Sequence, residues 1–271
     1  MAPEIGLKLW SVNTGAYLHE AERLHAEGVF DYVELFVVPE TLETLGDWKR
    51  LQGETGMPFV IHNAHFVTGF NLADAAMTAR NRSICSQTRT FADTLEAKHV
   101  IFHGGMDGTV EETVRQLKGL AEPRALLENT PCVPLTNNMG ARSCRGATVE
   151  EIAYVLEMTG CKFCLDVGHA VCAANAQGLE PYAYVAELAR RFAPVMFHLS
   201  DVADMRSPYD AHPHLGTGEL DIPRLCREVF PRDARISIET VKDSSDNLCD
   251  FREDAMRLRS IFHEEDRRRH V

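Results

Sequence analysis

The sequence has few of the features that mark membrane proteins and nucleic-acid-binding proteins. No stretch reaches the roughly 18 consecutive apolar residues that a membrane-spanning helix requires. The 28 lysine and arginine residues are outnumbered by 40 aspartate and glutamate residues, which gives a formal net charge of −12. This balance argues against broad electrostatic binding to DNA or to anionic membranes. A polyanionic substrate would therefore have to be attracted by a local site.

The sequence also lacks a cysteine framework and an export signal. Its eight cysteines are spread over 271 residues. The single CxxC pair, Cys161 and Cys164, has no second pair at zinc-ribbon spacing. The opening residues MAPEIGLKLWSVNTG show neither a basic start followed by an apolar block nor a small-residue cleavage site. We therefore expect a cytoplasmic protein with reduced cysteines and a structural CxxC pair.

The sequence does contain a regular alternation of short apolar runs and amphipathic segments. Eight runs are typical of buried strands: 5–10, 31–36, 58–62, 99–103, 124–128, 162–166, 195–200 and 235–239. Eight segments show the apolar spacing of helices: 16–27, 41–54, 77–97, 110–121, 148–159, 180–192, 221–229 and 247–265. Strands that alternate with helices indicate βαβ units and a parallel sheet.

Eight such units predict a single (β/α)₈ barrel domain over residues 1–271. The active site of this architecture lies at the carboxyl ends of the strands. A doubly wound open sheet is the alternative. The turn after the first run, SVNTG, lacks the GxGxxG pattern that usually accompanies such a sheet.

Metal-binding residue types recur at or near the ends of the last six runs. They are His62, His103, Glu128, Asp166, His198 and Glu239. Three more follow the sixth and seventh runs, namely His169, Asp210 and His212. Each buried polar group without a partner costs on the order of 1–3 kcal/mol, so a pocket containing all nine predicts bound cations. Mixed histidine and carboxylate ligands favour Zn²⁺, Mn²⁺ or Fe²⁺, and nine of them suit two or three ions.

Four segments resemble a known family: FHGG (102–105), LENT (127–130), LDVGHA (165–170) and HLSDV…DAHPHLGTGELD (198–221). With them the sequence resembles the endonuclease IV family of abasic-site DNA repair nucleases, within the xylose-isomerase-like barrel superfamily. The resemblance implies a (β/α)₈ barrel that holds three zinc ions and cleaves the phosphodiester 5′ to an abasic site. By position, the first ion would take His62, His103 and Glu128. The second would take Glu128 as a bridge with Asp166, His198 and Glu239, and the third His169, Asp210 and His212.

The loops that would meet DNA depart from this family. The loop after the second run, VVPETLETLGD (37–47), contains no lysine or arginine, and its acidic residues would repel a duplex. After the third run, His65 and Phe66 are predicted substrate-binding residues because they could wedge into a base stack. The expected substrate is abasic-site DNA or a smaller phosphate ester.

Two other functions fit part of the pattern. A sugar isomerase or epimerase of the same superfamily would hold one Mn²⁺-like ion with Glu128, Asp166, His198 and Glu239. In it Glu128 and Glu239, the predicted catalytic residues, would move protons at the substrate carbons. That function leaves four residues unused, namely His62, His103, Asp210 and His212, so the sequence favours the phosphoesterase. A non-catalytic barrel with structural metals is the third possibility, although structural zinc sites are closed whereas a barrel mouth is open.

Overall fold

A computed structural model of the protein describes residues 2–134 and 142–268. Eight parallel strands close into a barrel in chain order. They are β1 (Glu4–Trp10), β2 (Tyr32–Phe36), β3 (Phe59–His62), β4 (Val100–His103), β5 (Ala125–Glu128), β6 (Lys162–Asp166), β7 (Met196–Leu199) and β8 (Arg235–Ile238). The predicted barrel is confirmed. The pairing of β1 with β8 excludes the open doubly wound sheet.

The strands are buried on both faces, which explains why they are continuous apolar runs in the sequence. One residue from each of six strands fills the inside of the barrel: Tyr32, Val60, Ile101, Leu126, Cys164 and Met196. A larger apolar layer joins the outside of the barrel to the helices. The second cysteine of the CxxC pair therefore belongs to the barrel interior, and both members are free thiols.

Nine α-helices are present in the described part of the chain. They are α1 (Ala16–Ala26), α2 (Leu45–Thr55), α3 (Thr78–Thr94), α4 (Val110–Leu120), α5 (Val149–Thr159), α6 (Val167–Gln177), α7 (Pro181–Phe192), α8 (Ile222–Glu228) and α9 (Cys249–Arg268). Eight of them correspond to the predicted segments, with ends that differ by a few residues. Within residues 2–134 and 142–268, no helix combines the length and the apolar character needed to cross a membrane.

The sequence did not predict helix α6. Its residues from Val167 to Ala174 are all buried, so it has no polar face and no amphipathic period. The helix begins directly after Asp166, whose side chain accepts a hydrogen bond from the His169 amide at 2.6 Å. Asp166 is therefore the N-cap of α6 as well as a candidate metal ligand.

Candidate metal centre

All nine predicted ligand residues lie at the carboxyl end of the barrel. Strands β3 to β6 each end on one of them, β7 contains His198, and Glu239 directly follows β8. His169 lies in the first turn of α6, and Asp210 and His212 lie in the loop after β7. The parallel strands bring these groups together because their carboxyl ends form one rim.

The first group of ligand atoms surrounds one oxygen of Glu128. The Nε2 atoms of His62 and His103 lie 3.0 and 3.1 Å from Glu128 Oε2. His62 Nδ1 lies 2.7 Å from the Asn63 carbonyl oxygen and donates its hydrogen to it, which leaves Nε2 as the lone-pair nitrogen. The candidate ligand atoms of these three residues all lie within 4.8 Å of one another, so one ion could contact all of them.

The second group surrounds His198. Its Nδ1 atom lies 2.7 Å from Glu239 Oε1, 3.3 Å from Glu128 Oε1 and 3.8 Å from Asp166 Oδ2. Ligand atoms on one tetrahedral zinc ion are separated by roughly 3.3 Å, given metal–ligand bonds of about 2.0 Å. Glu128 therefore presents one oxygen to each of the first two groups, which is the arrangement of a bridging carboxylate.

The third group joins the loop after β7 to helix α6. Asp210 Oδ2 lies 3.4 Å from His169 Nε2 and 2.8 Å from His212 Nε2. His169 Nδ1 is 2.9 Å from the Asn129 carbonyl oxygen, so this nitrogen donates and Nε2 is left for a ligand. The Asn129 side chain in turn pairs with the backbone of Asp166, which holds both ligand-bearing segments in register.

The ligand atoms are buried and short of hydrogen bonds. Among the described residues, Glu128 Oε1, His198 Nδ1 and Asp210 Oδ2 are inaccessible to solvent and make no hydrogen bond of good geometry, although each lies within 3.3 Å of another predicted ligand atom. Each of these three atoms belongs to a different predicted ligand residue; the first two belong to the second group and Asp210 Oδ2 to the third. Buried polar atoms are ordinarily satisfied in native proteins. The donor set therefore fits borderline divalent cations such as Zn²⁺, which accept nitrogen and carboxylate ligands together.

The pKa values of the cluster reflect crowded carboxylates. Burial, opposed in part by His169, raises the pKa of Asp166 to about 6, and Glu128 and Glu239 add to the rise. Burial disfavours the imidazolium form of His198, but surrounding anionic groups such as Glu239 outweigh it and raise its pKa well above the usual value. Burial also lowers the pKa of His169, but the nearby carboxylates of Asp166 and Asp210 outweigh it and raise this pKa well above the usual value. Protons on His169 and His198 thus provide part of the counter-charge to these carboxylates.

Two charged residues of the site were not assigned a function from the sequence. Lys8 and Glu34 are directly opposite each other in the register of β1 and β2. Lys8 Nζ lies 3.1 Å from Glu34 Oε1 and also contacts Glu239 Oε1. Glu34 Oε2 accepts a hydrogen bond from His198 Nε2 at 2.9 Å, which directs His198 Nδ1 toward the other ligands. The sequence does contain a signal that could have identified them: each is a charged residue in the middle of an apolar run, 5–10 for Lys8 and 31–36 for Glu34.

A network of buried carboxylates holds the loop after β7. Asp201 accepts hydrogen bonds from the amides of Val202, Gly216 and Leu220, and so shapes the LGTG turn. A side chain at Gly218 would place its Cβ 2.3 Å from the Val202 carbonyl oxygen, which explains this glycine. Asp254 of α9 binds the same loop from the other side, through His214 and the Leu215 amide.

A cavity of about 480 Å³ opens above the ligand groups. The predicted substrate residues His65 and Phe66 both line it. The His65 ring stacks on His103, with centroids 5.2 Å apart and planes at 24°. The remainder of the cavity rim comes from the loops after β1, β5 and β8. A volume of this size accommodates a small molecule or a single extruded nucleotide.

Comparison with known proteins places the chain in a family. It belongs to the xylose isomerase-like TIM barrels, whose family model matches residues 21–261. Over 207 residues it is 29% identical to a protein named probable endonuclease 4 from Mycobacterium ulcerans, an alignment that covers 73% of this chain and 79% of that protein. The resemblance stated from the sequence is confirmed at the level of this family.

Solved structures show the same fold. A D-tagatose 3-epimerase-like protein superposes with a TM-score of 0.70 at 19% identity, covering 98% of this chain and 99% of the other. An AP endonuclease of family 2 from Brucella melitensis superposes with a TM-score of 0.62 at 15% identity, covering 92% and 98%. At these identities the likeness concerns the fold alone, and the two structural neighbours are named for different reactions.

Proposed function

We propose that this protein is a metal-dependent phosphoesterase with a centre of up to three zinc-type ions, for which Mn²⁺ or Fe²⁺ could substitute. It would hydrolyse phosphodiester bonds in abasic-site DNA or in a smaller phosphate ester. One observation carries the proposal: the predicted ligand residues converge at one end of the barrel in three adjoining groups, two of which contain buried ligand atoms without a well-formed hydrogen bond. The endonuclease 4 name of the Mycobacterium relative is consistent with it.

The proposed ligand sets are those implied by the sequence resemblance. His62, His103 and Glu128 would hold the first ion, and Glu128 would bridge to the second. The second set is completed by Asp166, His198 and Glu239, and the third consists of His169, Asp210 and His212. Ions bound there would lower the pKa of a water molecule and polarise the phosphoryl oxygens.

The chain's own groups orient this chemistry. Glu128 holds the first two groups together through its two oxygens. Glu34 fixes the direction of the His198 ring, and the Asn63 and Asn129 carbonyls fix His62 and His169. Lys8 keeps its ammonium beside Glu239, at the edge of the cavity where a substrate oxygen would lie.

A sugar isomerase or epimerase is the second candidate. It is supported by the pair of carboxylates, Glu128 and Glu239, that both approach His198 Nδ1, and by the epimerase-like name of one structural neighbour. One ion flanked by two carboxylates suits proton transfer beside a sugar carbonyl. It does not use the imidazoles of His62 and His103, which converge on Glu128.

Metal content and turnover separate the two candidates. We expect purified, zinc-loaded protein to contain more than one ion per chain and to hydrolyse a phosphodiester. His103→Ala and His212→Ala should each lower both the metal content and the rate, whereas His263→Ala, on the exposed side of α9, should change neither. One ion per chain, together with ketose epimerisation and no phosphodiester hydrolysis, would establish the isomerase instead.

A further inference from the structure

Exposed apolar side chains line the cavity, together with the charged ligand groups. Trp10 at the end of β1, Val67 after β3 and Val241 after β8 all line it, and they are 46%, 60% and 51% exposed. Three of the nine large apolar side chains that are exposed in the described part of the chain therefore line one opening. Such patches mark sites where a ligand or a partner removes them from water.

Trp10 is held in place by a row of rings that leads to the ligand groups. Its ring centroid lies 5.0 Å from that of Phe36. The Phe36 ring lies 5.2 Å from His62 and 5.1 Å from His65. The indole is therefore supported from beneath, and a flat group that stacked on it would stand above the first group of ligand atoms.

Beyond the proposed ions at its base, the cavity has few positively charged side chains to offer a nucleic-acid backbone. Apart from imidazoles, the described lining residues include two cations, Lys8 and Lys242. Lys8 already pairs with Glu34 and Glu239, and Lys242 Nζ donates to the Thr240 carbonyl oxygen at 2.7 Å. Proteins that bind duplex DNA contact several phosphates through lysine and arginine.

We propose, building on the phosphoesterase function, that the substrate is a small phosphate ester that carries an aromatic or similarly flat apolar group. The phosphoryl group would lie at the charged base of the cavity, and the flat group would stack on Trp10. The substrate would then span the cavity from the ligand groups to the rim. Trp10 is in this proposal the residue that selects the substrate.

Two synthetic diesters that share 4-nitrophenolate as the leaving group test the role of Trp10 directly: 4-nitrophenyl phenyl phosphate and 4-nitrophenyl methyl phosphate. In both, a water oxygen forms a bond to phosphorus and the bond to the nitrophenyl oxygen breaks. 4-Nitrophenolate leaves with the electron pair, and the water protons pass to solvent. The two substrates differ in the group that would reach the indole. Their intrinsic reactivities also differ, so the change in the ratio of their kcat/KM values between the wild type and Trp10→Ala measures the binding of that group to the indole.

We expect the zinc-loaded wild-type protein to favour the phenyl diester by at least about 10-fold, in line with the usual strength of stacking on an aromatic side chain. Trp10→Ala should reduce kcat/KM for the phenyl diester about 10-fold and for the methyl diester less than about 2-fold. Trp10→Phe, which retains a ring, should restore most of the preference. Met256→Ala removes a side chain that is 52% exposed on α9 and should leave both rates unchanged.

The possible outcomes are distinguishable. Equal kcat/KM for the two diesters, or a preference that Trp10→Ala leaves intact, would overturn the substrate proposal while retaining the phosphoesterase. A duplex with one abasic site that is cleaved with a higher kcat/KM than the phenyl diester would overturn it too. No hydrolysis of either diester or of the duplex by metal-loaded protein would refute the phosphoesterase itself.

Discussion

Asp254 provides a quantitative test of how the loop after β7 is held. It is 2% exposed and accepts three hydrogen bonds. His214 Nδ1 and Thr240 Oγ1 donate to its Oδ2 at 2.8 and 2.7 Å, and the Leu215 amide donates to its Oδ1 at 2.9 Å. Since Thr240 directly follows Glu239, one carboxylate joins the loop of the third ligand group to a ligand of the second.

The expected cost of removing this carboxylate follows from its partners. Asp254→Ala leaves three donors without an acceptor, at about 1–3 kcal/mol for each that stays buried. The Thr240 hydroxyl can rotate and His214 is partly exposed, so we expect a loss of about 3–5 kcal/mol in the free energy of unfolding. Asp254→Asn keeps one acceptor oxygen. The His214 ring can move its proton to Nε2, which lies 3.3 Å from Asp243, and the loss should fall to about 1–3 kcal/mol.

Urea unfolding of chelator-treated protein measures these losses, and Glu253→Ala is the matched control. Glu253 is the preceding residue of α9 and is exposed, so its removal should cost less than about 0.5 kcal/mol. Zinc should also raise the unfolding temperature of Asp254→Ala by less than it raises that of the control, because the third ligand group is no longer held. Equal stability of the Asp254→Ala and Glu253→Ala proteins would show that the loop is ordered by other contacts.

Two more predictions concern one buried and one half-buried side chain. Glu34→Gln removes the carboxylate that orients His198 and should weaken zinc binding by about 10- to 100-fold, measured by competition with a chromophoric chelator; unchanged affinity would contradict the role of Glu34. Burial, aided by neighbouring cations, lowers the pKa of His99 to about 4, so the native state favours the neutral ring. Because the unfolded state takes up the proton at a higher pH, the free energy of unfolding decreases as the pH falls from about 6.5 to 4. His99→Gln should therefore reduce the acid-induced loss in the free energy of unfolding over that range by about 1–2 kcal/mol, a figure that allows for partial solvent screening. Urea titrations at several pH values measure this difference, and identical pH profiles of the two proteins would disprove the prediction.

The strands were predictable because burial on both faces makes each one a continuous apolar run. β6 matches its predicted span, 162–166, and the ligand residues follow from the same pattern because they stand at the run ends. Helix α6 was not predictable in this way, since its residues are buried on every side and leave no polar period. Asp166 is the N-cap of this helix, but we interpreted it from the sequence only as a metal ligand and so missed the start of the helix.

The pair of Lys8 and Glu34 illustrates a second limit of the sequence. Each residue interrupts an apolar run, but neither has a charged partner nearby in the chain. Their contact exists because β1 and β2 pair in one specific register, and the contact of Lys8 with Glu239 requires the barrel to close through β8. Register and closure depend on the packing of the whole sheet rather than on any single segment. The ligand set could therefore be proposed from local patterns, whereas the residues that orient it could not.

The charges at the base of the barrel connect these observations. Five carboxylates and one ammonium lie there. Glu34, Glu128, Asp166 and Asp210 are buried, and Glu239 and Lys8 are nearly so. Protons on imidazoles such as His169 and His198 offset part of the excess negative charge, as the direction of their pKa shifts indicates. A divalent ion binds the same nitrogens only after those protons leave. The pKa shifts and the atoms without hydrogen bonds thus have one physical cause, a cluster of ligands whose negative charge exceeds what the chain's own cations can balance.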